Sequence, residues 1–524
     1  MNRSGRSSDR WTESTKVDEH GRKDLRPSGL NVAFLSLRAG EPLAFGLMSL
    51  AAALREHGHR VVVVDGLGPM ELAAEPEVRS ADVLAFSATT GLHRLYVQWA
   101  THLRKRFPDK AIVMGGPHPT FFPEVIEQAP FDGVCIGEGE ESFPEFLHAW
   151  ETGFGSVPRG WWVRRNTRHG PVERGEPRCP VLDLDQLPLP AYDLFYGDGA
   201  PDRAAQRRVD NDPIRVFLPT RGCPYRCTYC FNRTLNERYR PYGAVLRARD
   251  PELAVDDIQA VNRRWGGKMT WLVDANVVAH HRWLEAFLPI YRRRIGRPFF
   301  CKLRPEQATE RTVRLLVEGG CTAVGVGIES GSEQLRRTVL GRRVSDAAIL
   351  AGCRRMKSKG LRVMSFNMLG IPGETLDDAL RTIALNAACR VDYGGATILQ
   401  PYPGTALAKW AVDHEYFSGD FESLSYSYFA ESPLRFERQR DRDRITNLQR
   451  LFAYAVEFPE VRRSLRWLID RPPNAVYRYL FEGRHMWALR HTFHRAFARD
   501  PGIDAGSPEE LWQGCRQLGI APDA

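Results

Sequence analysis

Lysine is scarce in this chain. Only 9 of its 73 basic residues are Lys, and such a bias toward Arg fits a GC-rich genome better than selected Arg chemistry. Cysteine is scarce too: 10 in 524 residues are too few for a disulfide scaffold and fit a reducing cytoplasm. No apolar run approaches the ~18 residues that span a bilayer. The longest, Pro42 to Leu54, reads as a buried helix, and no membrane association is expected. The opening residues, MNRSGRSSDR, are charged without an apolar stretch, so they do not read as a signal peptide. The net charge of +9 is spread over the whole length and leaves no concentrated footprint for nucleic acid. P-loop, Ser-His-Asp and HExxH patterns are missing, as are repeats of solenoid length. What is present is a globular composition, 43% apolar and 26% charged, long enough for several domains.

Residues 1–29 mix Arg, Ser, Asp and Glu with little apolar content and are predicted to be a disordered tail. Short β-type runs then alternate with helical stretches: NVAFLSL (31–37), RVVVVD (60–65), DVLAFSA (82–88), AIVMGG (111–116) and GVCIGE (133–138). RVVVVD is apolar throughout, as a strand buried on both faces requires. Five such strands predict a doubly wound parallel sheet over 30–150, with ligands at the strand carboxyl ends. The loops at those ends are rich in small residues: Ser87 to Thr90, Gly115 to His118, Gly137 to Gly139. The Pro- and charge-rich segment 151–213 reads as a linker. A second series follows: RVFLPT (215–220), MTWLVD (269–274), FFCKL (299–303), TAVGVGI (322–328), RVMSFNMLG (362–370) and YGGATILQ (393–400). It predicts an open six-stranded β/α barrel over 214–411, with chemistry at the strand C-termini. Residues 412–524 show helical periodicity without strand signals and are predicted to be a helical C-terminal region.

The chemistry-bearing motif is Cys223-Pro-Tyr-Arg-Cys227-Thr-Tyr-Cys230, directly after the first strand of the second series. Soft thiolates suit zinc or iron–sulfur. Structural zinc takes four ligands, and the nearest downstream candidates for a fourth are His280, His281 and Cys301. Iron–sulfur cubanes normally take four Cys, so three would leave one iron open to a substrate. The remaining cysteines, 135, 179, 301, 321, 353, 389 and 515, show no metal spacing.

CxxxCxxC at the top of a first barrel strand, with Tyr229 before the last Cys, resembles the radical S-adenosylmethionine (SAM) enzymes. Gly327-Ile-Glu-Ser-Gly-Ser332 looks like that family's ribose-contacting segment, Met368-Leu-Gly-Ile-Pro-Gly-Glu-Thr375 like its fifth-strand glycine motif, and Gln400 to Thr405 like its sixth-strand end. The preceding sheet resembles the cobalamin-binding domain of B12-dependent radical SAM proteins, through Gly115-Gly-Pro-His-Pro-Thr120 and Cys135-Ile-Gly-Glu-Gly-Glu140. The DxHxxG motif of many cobalamin domains is missing: the corresponding loop, Ser36 to Pro42, has no His. Cobalamin held there would lack a protein His ligand.

The resemblance implies that Cys223, Cys227 and Cys230 hold a [4Fe–4S] cluster whose open iron chelates SAM. It implies SAM contacts from Tyr229, Asp274, Arg304, Glu329, Ser330, Gly331 and Gly370, and cobalamin contacts from Arg38, Ser87, Thr89, Gly115, Gly116, His118, Gly137, Glu138 and Gly139. Plainer roles stand beside these: core packing for Tyr229, a barrel-mouth ion pair for Glu329, a salt bridge for Arg304, a helix cap for Asp274, a structural His at 118. The implied activity is C-methylation of an unactivated carbon in a small, natural-product-type molecule. It would run through a 5′-deoxyadenosyl radical and methylcobalamin, fed by a one-electron reductant such as flavodoxin or ferredoxin. Cyclisation or oxidation with the same cofactors is the alternative. A tRNA methylthiotransferase is disfavoured, because only Cys135 and Cys179 precede the barrel and the region after it is helical.

Overall fold

A computed structural model describes residues 29–37, 45–66, 68–164, 170–196, 214–243, 245–425, 427–429 and 431–494. The readings for residues 1–28, for Arg38 and for residues beyond 494 lie outside the described residues.

The N-terminal sheet contains the five expected parallel strands: β1 (Asn31–Ser36), β2 (Arg60–Asp65), β3 (Val83–Ser87), β4 (Ala111–Gly115) and β5 (Gly133–Cys135). Their order is β2-β1-β3-β4-β5, so the chain reverses direction across the sheet between β1 and β3. Apolar residues cover both faces because both are buried. Ala33, Leu35, Leu84 and Phe86 pack with Tyr96 and Trp99 of helix His93–Arg106. Val32, Phe34, Val83 and Ala85 pack with helices Phe45–Glu56 and Ser142–Thr152 on the other side. Each fully buried Val, Leu or Phe side chain contributes about 1.5–3 kcal/mol.

The segment 151–213, read as a linker, contributes more than a connection. Its strands β6 (Trp161–Arg164) and β7 (Val172–Arg174) extend the sheet antiparallel beyond β5. Their four and three residues are too short for a periodicity signal, and Trp-Trp between prolines and arginines hides an edge strand. Further on, Tyr192 donates its hydroxyl to the Val216 carbonyl at 2.7 Å and joins the barrel core, and Arg55 pairs with Asp193 at 2.9 Å.

The second sheet has the six expected parallel strands: β8 (Ile214–Phe217), then, past a separate two-stranded antiparallel pair of β9 (Thr220–Arg221) and β10 (Arg247–Ala248), β11 (Met269–Leu272), β12 (Phe299–Leu303), β13 (Cys321–Glu329), β14 (Arg362–Leu369) and β15 (Tyr393–Ile398). The order runs sequentially from β8 to β15 without closure. The intervening helices begin on capping side chains. Asp250 accepts from the Glu252 and Leu253 amides, Thr309 from Thr312, Ser345 from Ala348, and Thr375 forms a reciprocal box with Asp378. Helix Gln439–Glu457 of the C-terminal region covers the outer face of β15, and Gln449 Nε2 donates to the Ala396 carbonyl at 3.0 Å. Among the described residues no helix is long and apolar enough to cross a membrane.

Candidate active site

The cysteine loop leaves the carboxyl end of β8 and is fixed at both ends. Gly222 has φ +99°, and a Cβ there would lie 1.8 Å from the Val245 carbonyl oxygen, so only glycine allows the chain to turn against this backbone. Cys230 is the residue before helix Phe231–Tyr239, from which Asn236 Nδ2 donates to the Cys223 carbonyl at 2.5 Å. Between them the Thr228 amide donates to Leu340 O at 3.1 Å, and Thr228 O accepts from the Leu407 amide at 2.9 Å.

All three cysteines are partly buried and free of disulfides. Burial pushes the Cys223 and Cys230 thiols above their ordinary range. Two N–H donors are aimed at the sulfurs: Arg304 Nη1 at Cys227 Sγ (3.4 Å) and Asn232 Nδ2 at Cys230 Sγ (3.5 Å). Such donors match metal-bound thiolates, which a coordinated metal keeps deprotonated despite burial. Among the described residues no three His, Cys, Asp or Glu side chains gather tightly enough to hold one metal ion. A cubane gives each thiolate its own iron, so three loop cysteines with N–H donors on two of the sulfurs fit a cluster.

Around this loop the structure gathers Tyr229, Arg304 and Glu329. The Arg304 guanidinium lies 3.9 Å from the centroid of the Tyr225 ring and also pairs with Glu306. Glu329, at φ +70°, pairs with Arg342 at 2.8 Å, and Arg342 also donates to the Tyr229 hydroxyl at 3.3 Å and to the Gly327 carbonyl at 2.7 Å. Burial raises the Glu329 carboxyl above its ordinary range, although Arg342 and Tyr229 pull it down. A Cβ on Gly327 would meet Glu329 Oε1 at 2.3 Å, so this glycine makes room for the ion pair. Arg342 was not foreseen: it lies outside every motif, and folding brings it to the rim.

Asp274 joins two strand ends by accepting from the Thr220 amide (2.7 Å) and the Thr220 hydroxyl. Burial pushes its carboxyl up to about 6. Ser330 and Gly331 serve packing. Ser330 is fully buried and its carbonyl accepts from Arg336 at 2.6 Å, while a Cβ on Gly331 would lie 2.3 Å from the Arg381–Thr382 backbone. Gly370, at φ +72°, forms a turn closed by Glu374, whose Oε2 accepts from the Gly370 amide at 2.7 Å.

A cavity of about 350 Å³ opens at the carboxyl ends of the N-terminal strands and reaches the barrel, a ligand-sized space at the reversal of strand order. Of the expected cobalamin residues, Ser87, Gly115, Gly116, Gly137, Glu138 and Gly139 line it. Its walls are mostly apolar, from Phe34, Leu50, Phe143 and Trp161 to Leu187–Pro190 of the supposed linker, and a bulky organic group fits this lining. Thr89 is exposed and outside the lining. His118 is also outside it. It is stacked on His93 with ring centroids 3.6 Å apart, and Thr90 Oγ1 lies 3.1 Å from its Nδ1. Burial, with His93 beside it, pushes the His118 ring down to about 3, so it is neutral at physiological pH. Glu138, in the cavity wall, pairs with two arginines of the barrel segment, Arg247 at 2.7 Å and Arg221 at 3.3 Å. Arg221 also binds Glu140 at 2.6 Å, and Ser49 donates to the same carboxylate at 2.9 Å. Burial opposes the charge on Glu140, but Arg221 and these hydrogen bonds outweigh it and hold the carboxyl below its ordinary range.

A thiolate loop at the rim of an open β/α barrel, facing a glycine-lined cavity in a doubly wound sheet, defines a two-cofactor enzyme. The radical SAM superfamily model matches residues 217–385, and the B12-binding domain model matches residues 34–147. The chain therefore belongs to the radical SAM enzymes that carry a B12-binding domain, and its cofactors are a [4Fe–4S] cluster, SAM and cobalamin. An uncharacterized methyltransferase of Pyrococcus horikoshii is 28% identical over 382 residues, covering 71% of this chain and 79% of that protein. The 2-(S-pantetheinyl)-carbapenam-3-carboxylate methyltransferase of Streptantibioticus cattleyicolor is 32% identical over 217 residues, covering 39% of this chain and 30% of that protein. Among solved structures, the cobalamin-dependent SAM radical enzyme OxsB with aqua-cobalamin and SAM bound shares the fold. Its TM-score is 0.63 at 14% identity, covering 94% of this chain and 76% of that one.

Proposed function

We propose that this protein is a cobalamin-dependent radical SAM methyltransferase that adds a methyl group to an unactivated carbon of a small natural-product intermediate. The observation that carries the reading is Arg221. It stands two residues before Cys223 and binds Glu138 and Glu140 of the cavity wall, so the cluster loop and the cobalamin cavity are joined by one side chain.

When bound, the cluster with SAM supplies a radical able to take hydrogen from an inert C–H bond, and cobalamin supplies the methyl group. Cys223, Cys227 and Cys230 would hold the cluster. Arg304 and Asn232 stabilise the thiolates by N–H donation. The Glu329–Arg342–Tyr229 group stiffens the rim that SAM would occupy. Gly116 and Gly137, at φ +96° and +98°, shape the strand-end loops, and the 184–190 segment closes the cavity against water. A one-electron donor of the flavodoxin or ferredoxin type would reduce the cluster. The carbapenam relative, named for methylating a small carboxylate, supports the substrate class.

The test is anaerobic reconstitution, quantification of iron, sulfide and cobalamin, and assay for 5′-deoxyadenosine with candidate substrates. A product heavier by one methylene, with its carbon derived from the SAM methyl, is expected. 5′-Deoxyadenosine with a cyclised or oxidised product of unchanged carbon count would refute methyl transfer.

A further inference from the structure

The cysteine loop reaches the surface of the molecule near an open cleft with no assigned task. Pro224 and Arg226, beside Cys223 and Cys227, are exposed. Segment 337–343 lies directly against this part of the loop. Thr228 donates its amide to the Leu340 carbonyl at 3.1 Å and its hydroxyl to the Val339 carbonyl, and a Cβ on Gly341 would lie 3.3 Å from the Arg226 carbonyl oxygen. The same segment borders a cleft of about 380 Å³, with Glu306, Glu333, Arg337, Arg343 and Ser345 in its walls. The charges of these walls are unevenly engaged. Glu306 is held by Arg304, and Glu333 accepts from the Asp346 amide at 3.1 Å. Arg337 and Arg343 are exposed, and among the described residues neither guanidinium has an ion pair or hydrogen bond. Ser345 caps helix Asp346–Ser358, so the positive end of that helix dipole meets the cleft as well. Arg226 adds to the positive charge, because its partner Glu237, at 3.5 Å, is shared with Arg233. Glu306 also ties the cleft to the thiolates: the Arg304 that holds it donates to Cys227 Sγ at 3.4 Å.

We propose that Arg337 and Arg343, with Arg226 of the cysteine loop near them, form the docking surface for a small acidic protein that delivers single electrons to the cluster. Unpaired guanidiniums at a surface offer bidentate donors to carboxylates and steer an acidic partner toward them. Electron-transfer encounters need only a small interface, so a patch of this size is sufficient. A carrier seated against Glu306 is two side chains, Glu306 and Arg304, from the Cys227 sulfur. One electron leaves the carrier and enters the cluster, and no bond is made or broken in that step. The inference rests on the three cysteines holding the cluster but not on methyl transfer, so it is tested by binding and by reduction rather than by product.

The iron- and cobalamin-loaded enzyme is compared with two double variants, Arg337→Gln with Arg343→Gln and Arg337→Glu with Arg343→Glu. Binding of oxidised flavodoxin is titrated calorimetrically at low and at high salt. Reduction of the cluster by flavodoxin hydroquinone, and separately by reduced methyl viologen, is followed by freeze-quench electron paramagnetic resonance. Methyl viologen is a small cation and needs no docking surface. Wild type is expected to bind flavodoxin more weakly at high salt. The Gln pair should weaken binding and slow reduction by flavodoxin by about tenfold, and the Glu pair by more, while reduction by viologen is unchanged or faster. Binding and reduction by flavodoxin that stay within about twofold of wild type in both variants overturn the proposal. An equal slowing with viologen in both variants overturns it too, because the arginines would then act on the cluster itself. Wild type that viologen reduces but flavodoxin neither binds nor reduces also overturns it. Wild type that viologen fails to reduce refutes the cluster ligands, and the docking surface falls with them.

Discussion

At the scale of single residues the three loop cysteines differ from the buried thiols among the described residues. Cys135, Cys301, Cys321 and Cys353 are buried among apolar neighbours, whereas the loop cysteines sit at a strand end with N–H donors aimed at two of them. Cys227→Ala is expected to abolish 5′-deoxyadenosine formation while cobalamin binding persists, read by chromatography and by the visible spectrum of bound cobalamin. A variant that still cleaves SAM would overturn the cluster assignment. Glu374 gives a pH-dependent prediction. Burial pushes its carboxyl up to about 8 from an ordinary 4.5, against two backbone amides that favour the charged form. The folded state therefore binds this proton more tightly than the unfolded chain. Its contribution is fully present below about pH 4.5 and is lost as pH rises through 8, with a slope of at most about 1.4 kcal/mol per pH unit. Urea titrations of Glu374→Gln across this window should show a shallower decline than wild type.

At the scale of elements, turns with a positive φ depend on glycine for two separable reasons. Gly360 has φ +80° with nothing near its missing Cβ, so Gly360→Ala should cost only the left-handed backbone penalty, about 1–2 kcal/mol. Gly222 has the same class of backbone and a carbonyl oxygen at 1.8 Å from that position. Gly222→Ala should cost clearly more than Gly360→Ala, and should lower the iron content of the reconstituted enzyme, which Gly360→Ala should leave unchanged. Thermal melts and iron assays on the two variants check both statements. The sequence made the principal strands readable for a comparable reason. Runs such as RVVVVD are apolar because both faces of a parallel sheet are covered, so nearly every side chain carries the signal. Strands β6 and β7, short and at an edge, carry almost none.

At the scale of the whole molecule, the two sheets are held in one register by side chains that cross between them. Arg221 reaches from the cysteine loop to Glu138 and Glu140, Arg247 doubles the contact with Glu138, and Phe231 stacks on Phe121 with centroids 4.8 Å apart. Removing one partner of a buried ion pair typically costs about 3–5 kcal/mol, because the other charge stays buried. Arg221→Gln is expected to leave Glu140 unpaired, loosen the domains and broaden the distance distribution between the two cofactor sites. Pulsed electron paramagnetic resonance on enzyme carrying cob(II)alamin and reduced cluster measures that distribution directly. A distribution as narrow as wild type would show that Arg221 does not set the register.

The strand segments and their succession along the chain, the location of the thiolate loop and the glycine-rich strand ends were all decided locally, by apolar runs and by residues that tolerate a positive φ. Those signals lie within a few consecutive positions, so the sequence alone determined the two α/β layers and singled out the three cysteines proposed to hold the cluster. Partnership was decided elsewhere. Glu138 and His118 stand in motifs that resemble a ligand loop, yet one reaches across to Arg221 and Arg247 and the other stacks on His93. Arg342 belongs to no motif and still reaches the rim of the barrel, where it meets Tyr229 and Glu329. A charged side chain takes its role from whatever folding places within a few ångströms of it, and those neighbours come from segments tens to more than a hundred residues away.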